Sequence, residues 1–76
     1  MNDVYLRLIL LKNNKVFEVS FDSRLTFREN LDMFDEIEQI DTKGVNIYDE
    51  ERQLFLNMDI PLSDMKMARF AKFYLL

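Results

Sequence analysis

Val4–Leu11 is rich in β-branched, aromatic and aliphatic residues and has a two-residue period. Val4, Leu6, Leu8 and Leu10 fall on one side of an extended backbone, and Tyr5, Arg7, Ile9 and Leu11 on the other. Lys12-Asn13-Asn14-Lys15 reads as a turn, because Asn tolerates positive φ. Val16–Phe21 alternates again, with Phe17, Val19 and Phe21 on one face and Glu18 and Ser20 on the other. The pattern predicts a β-hairpin with one buried face.

After the connector 22–25 the period changes. Thr26 followed by Glu29 is the signature of a capping box, in which each side chain satisfies a free backbone N–H of the first turn. Phe27, Leu31, Phe34 and Ile37 recur at helical spacing, and Ile40 continues the stripe. Arg28, Asp32, Asp35, Glu36 and Glu38 occupy the other side. An amphipathic helix of about four turns is expected. Gly44 then supplies a left-handed position in the exit loop.

Two short strands follow, 45–48 and 53–56, joined by the polar turn Asp49-Glu50-Glu51-Arg52. The stretch 57–62 is irregular and contains Pro61; Ser63 or Asp64 then caps a short helical turn through Met67. Ala71–Leu76 reads as a last strand, with Ala71, Phe73 and Leu75 inward and Lys72, Tyr74 and Leu76 outward. Residues 63–76 also fit one amphipathic helix, since Lys66, Arg69 and Lys72 recur every three residues. The aromatic and branched end favours the strand.

Seventy-six residues make a single domain, 1–76. The chain has no Cys and no His. That removes thiol chemistry, disulfides, the usual general base and the commonest metal ligand. Ser20, Ser23 and Ser63 have no His to activate them. The acidic pairs of the helix read as a solvated face. Asp49-Glu50-Glu51 lacks the alternating ligands of a calcium loop. Met58, Met65 and Met67 read as gap-filling core residues. No enzyme activity, catalytic residue, metal site or cofactor is expected.

The net charge is −4, which argues against nucleic acid as a partner. It is unevenly spread. Residues 26–41 set Arg28 against six acidic residues, a net −5, whereas residues 62–76 set Asp64 against Lys66, Arg69 and Lys72, a net +2. The apolar run Leu8–Leu11 is too short for a signal or membrane span. The expectation is a cytoplasmic protein without direct membrane insertion.

The order hairpin, helix, two short strands, Leu-Ser-Asp turn and last strand resembles the ubiquitin-like β-grasp, an α+β fold. Such a fold has a mixed sheet of four to five strands packed on one amphipathic helix. Thr26-Phe27-Arg28-Glu29-Asn30-Leu31 is similar to the start of ubiquitin's helix. Pro61-Leu62-Ser63-Asp64-Met65-Lys66-Met67, with Phe73-Tyr74-Leu75-Leu76 after it, is similar to ubiquitin's Leu-Ser-Asp turn and final strand. The sequence shows no Gly-Gly tail after Leu76, so no conjugation is expected. In this it resembles the bacterial YukD/EsaB-like proteins of type VII secretion. That resemblance implies a cytoplasmic accessory protein, held at the inner face of the membrane by a component of the secretion machinery.

A β-grasp covers one sheet face with its helix and leaves the other free. On the register above the free face holds Tyr5, Arg7, Ile9, Asn46, Tyr48, Lys72 and Tyr74. Tyr and Arg beside an isolated aliphatic residue have the composition of an interface core. The expectation is a protein-interaction module docking through these residues. The competing expectation is a homodimer or larger homo-oligomer built on the same face.

Overall fold

The computed structural model describes residues 3–76. Strands β1 (Asp3–Leu10) and β2 (Lys15–Asp22) form the antiparallel hairpin, in register from Asp3 opposite Asp22 to Leu10 opposite Lys15. Asn14 takes the left-handed conformation in the turn, with φ 56°. Leu11 belongs to that turn rather than to the strand, and its side chain is exposed.

Helix α1 (Phe27–Glu38) starts on the capping box: the Glu29 N–H donates to Thr26 Oγ1 at 3.1 Å and the Thr26 N–H to Glu29 Oε1 at 3.0 Å. Its 12 residues make little more than three turns, shorter than the stripe implied. Gln39 stops it in a left-handed cap (φ 56°), and the Ile40 N–H returns to the Asp35 carbonyl at 3.1 Å. Asp35 is not a free surface charge. Its carboxylate accepts the Thr42 N–H at 2.9 Å and the Thr42 hydroxyl at 2.8 Å, tying the exit loop to the helix. Gly44 has φ 81°, as expected of the loop glycine.

Phe27, Leu31 and Phe34 are buried, but Ile37 is 79% exposed. At 100° per residue Ile37 sits about 80° from Phe27 around the helix, at the edge of the stripe. Ile40, beyond the cap, packs against the core in its place.

Strands β3 (Ile47–Asp49) and β4 (Leu54–Phe55) are shorter than expected and start later. The buried Asp49 ends β3 because its carboxylate accepts the Glu51 and Arg52 N–H groups and pairs with the Arg52 guanidinium at 3.4 Å. Ser63 and Asp64 cap nothing. They lie inside a 3₁₀ turn, Leu62–Asp64, which follows Pro61 and has no side-chain cap. The 3₁₀ segment is held by the Leu62 N–H on the Leu25 carbonyl (3.0 Å) and the Ser63 N–H on the Ser23 carbonyl (2.8 Å). The last segment is strand β5 (Ala71–Leu75), not a basic helix.

The five strands lie in the order β2-β1-β5-β3-β4. β5 is central, parallel to β1 and antiparallel to β3. One face of the sheet is apolar. Leu6, Leu8, Ile47, Phe73 and Leu75 close on Phe27 and Leu62, all but excluded from solvent. Phe rings lock the layers edge to face: Phe27 on Phe73 at 5.6 Å, Phe21 on Phe27 at 5.9 Å and Phe17 on Phe34 at 5.1 Å.

Among the described residues three polar side chains are buried, Asn30, Thr42 and Asp49, and Asn30 is the most deeply placed. Asn30, 2% exposed, accepts the Asp22 N–H at 2.9 Å and donates to the Asp22 carbonyl at 3.0 Å and the Thr26 carbonyl at 2.9 Å. Its amide thus joins α1 to the edge strand β2. The Asp22 carboxylate meanwhile accepts from the Arg24 side chain and backbone N–H, which lowers its pKa from 3.8 to about 2.

Replacing Asn30 with Ala strands the Asp22 backbone groups, and urea unfolding should show a loss of about 1–3 kcal/mol. The Asp22 shift has the sign of a depressed carboxylate. Its contribution to stability is present above the unfolded value and is lost as pH falls from about 4 through about 2. Carbon-detected NMR titration should therefore show Asp22 ionising below the ordinary aspartate range, and Arg24→Ala should move it part of the way back, because the backbone N–H of residue 24 still donates to it.

Candidate protein-interaction surface

Alternation along β1 turns Tyr5, Arg7 and Ile9 away from the helix. The parallel register sets Arg7 beside Lys72 and Ile9 beside Tyr74. Across β5, Tyr74 is opposite Tyr48. Asn46 precedes β3, but it exchanges two backbone hydrogen bonds with Leu76, at 3.0 and 3.1 Å, which continue the ladder. All seven residues expected on the free face are therefore on one side of the sheet, opposite α1.

The same side holds residues outside that set. Phe55 stands opposite Tyr48 with ring centroids 5.1 Å apart and is 58% exposed. Val16 stands opposite Ile9 and is also exposed. Phe70 and Arg69 come from the turn before β5. Counting alternation through β4 and back from Lys72 finds Phe55 and Phe70. No pattern finds Arg69, whose place depends on a turn.

Two electrostatic features mark the face. Tyr5 and Phe70 pack with centroids 6.1 Å apart, and the Arg69 guanidinium lies 4.9 Å from the Tyr5 centroid and 5.2 Å from that of Phe70. Towards β4, interaction with the Glu50 carboxylate raises the pKa of the Tyr74 hydroxyl above 10.0, and partial burial acts in the same direction. Among the described residues no group of three or more His, Cys, Asp or Glu side chains is placed to hold a metal ion. No described helix is long and apolar enough to cross a membrane.

No protein-family model matches the chain, and no curated protein sequence does. Solved structures match it throughout. One belongs to a structure described as "Molecular Mimicry of SUMO promotes DNA repair". It superposes with a TM-score of 0.83 at 10% identity, over 100% of this chain and 92% of that one. The ubiquitin-like domain of an Arabidopsis thaliana protein matches with a TM-score of 0.76 at 16% identity, over 100% and 78% of the two chains. The fold is the ubiquitin-like β-grasp. The ubiquitin-like domain of yeast Ddi1 also matches, with a TM-score of 0.69 at 8% identity, over 99% of this chain and 88% of that one. At such identities the β-grasp likeness is one of architecture.

In a Tyr5→Phe/Tyr48→Phe variant Tyr74 is the only tyrosine. Its absorbance titration should give a pKa above 10.0, and Glu50→Gln should lower it.

Proposed function

We propose that the chain is a non-catalytic module that docks a partner protein non-covalently on the open face of its β-grasp sheet. The composition of that face carries the reading. Tyr5, Tyr48 and Tyr74 are joined there by Phe55, Phe70, Arg7 and Arg69. Aromatic and Arg side chains are the types enriched where binding energy concentrates, because each gives a large contact area together with a polar handle. Such side chains gathered on one exposed face make a patch rather than scattered residues. The absence of His and Cys supports a binding role over a chemical one.

The resemblance to YukD/EsaB-like proteins extends the proposal. The partner is then a component of a type VII-like secretion machine, and the chain works as its cytoplasmic accessory. A second reading has two copies meeting through the same face. Its support is the exposed apolar set Val16, Phe55, Leu11 and Leu76.

The test is capture from a detergent-solubilised lysate, with wild type beside a Tyr5→Ser/Arg7→Ser/Tyr74→Ser variant. Enrichment of a secretion-complex ATPase or membrane component, lost in the variant while its melting stays cooperative, is the expected result. Capture that survives the triple substitution places docking elsewhere. Recovery of only the bait's own untagged copies favours self-assembly, which a concentration-dependent sedimentation profile would establish.

A further inference from the structure

The molecule is acidic, with a net charge of −4, yet three cations gather at one end of its open face. Arg7 and Lys72 are register neighbours on β1 and β5, and Arg69 belongs to the turn that leads into β5. Phe70 sits among them. Its φ of 60° is in the left-handed region, which a phenylalanine adopts only against a steric cost. The Phe70 N–H donates to the Tyr5 carbonyl at 2.8 Å and fixes that geometry. The result is a pair of rings flanked by guanidinium groups, with Arg7 centred 5.9 Å and Arg69 5.2 Å from the Phe70 centroid.

A guanidinium held over a ring face still has its N–H edge free for a planar acceptor. These groups have little to satisfy them internally. Among the described residues neither Arg69 nor Lys72 forms an ion pair. Arg7 has only Glu18, whose carboxylate is 3.9 Å from Nε, beyond hydrogen-bond length. That Nε is buried and lacks a hydrogen-bond partner. Glu50 and Glu51 line the same depression of about 510 Å³ as Arg69, Phe70 and Lys72, without pairing to them.

Resting on the docking-face reading, we propose that Arg7, Arg69 and Lys72, arranged around Phe70 and Tyr5, form a receptor for a carboxylate-rich segment of the partner protein. Carboxylates match the fork of a guanidinium, and the two rings offer contact to an apolar residue between them. The surrounding charge selects a short acidic segment over a long polyanion. Glu50 and Glu51 border the cluster on one side and Glu18 stands beside Arg7, so the cationic area is narrow. An extended nucleic acid or an anionic membrane would meet repulsion on leaving it.

The probe is a dodecapeptide alternating glutamate with leucine, titrated into the isotope-labelled full chain and followed by NMR. Saturable shifts should centre on the amide and side-chain signals of Arg7, Arg69, Phe70 and Lys72. A glutamine–leucine analogue should bind at least about tenfold more weakly. Raising the salt from about 0.05 M to about 0.5 M should weaken the acidic peptide markedly, since the pairs are exposed. Arg69→Glu should lose about tenfold in affinity with an unchanged melting temperature. Phe70→Gly relieves the backbone while removing the ring, so it should keep or raise the melting temperature and still weaken binding.

Equal affinity for the glutamine analogue, shifts confined to other surfaces, or no saturable binding would overturn the proposal. So would a phosphoserine peptide binding tenfold tighter, which would make the cluster a phosphate site. The docking face is judged separately. Partner capture that needs Tyr5, Arg7 and Tyr74 but ignores salt and Arg69→Glu would keep the face and remove the carboxylate receptor.

Discussion

The parallel ladder between β1 and β5 joins residues 6–10 to residues 71–75. Every other element lies between these two strands in the sequence, so all of them form inside the loop that this pairing closes. Leu6, Leu8, Phe73 and Leu75, four of the inward side chains of the ladder, are also among the most buried in the molecule. Closing so long a loop costs chain entropy before any contact is gained. The recompense comes when Phe27 settles on Phe73 and Leu62 closes the floor, and these contacts form only if both strands are in place. Folding of this sheet and docking of its helix are therefore one event rather than two.

The same strands divide the molecule chemically. On the helix side the sheet offers aliphatic and phenyl groups that ask only for burial. On the other it offers phenols, guanidinium groups and an ammonium, which need water or a partner. Charge follows this division. The helix region is strongly acidic, whereas cations collect at the turn before β5. A dipolar molecule of this kind presents itself to an approaching charged surface in a preferred orientation.

Much of this was legible in the sequence because the relevant forces are local. Two-residue alternation marks the hairpin, Asn14 marks its turn, and Thr26 with Glu29 marks the start of the helix. The seven residues expected on the open face reach it because parity along a strand is hard to misread. The misreadings lie where a side chain answers to something distant. Ile37 looks like core until Gln39 ends the helix and hands its role to Ile40. Ser63 looks like a cap, but it lies inside a 3₁₀ turn whose first N–H groups go to the distant Leu25 and Ser23 carbonyls. Asp35 looks like a surface charge until Thr42 folds back on it. Arg69 and Phe70 depend on a left-handed residue that is neither Gly nor Asn, and composition gives no warning of it.

Asn30 has a further role that follows from its two bonds to Asp22. In a regular antiparallel strand, successive residues point their backbone N–H and C=O in opposite directions. Asp22 points both towards the helix, and the Asn30 amide reads both at once. A hairpin slipped by one residue would bring backbone groups of the wrong orientation before that amide, deep in an apolar setting. The helix can then seat fully only on a hairpin that has chosen the right pairing. A single carboxamide thus ties the seating of the helix to one alignment of the hairpin, so a slipped register and a fully packed core exclude each other.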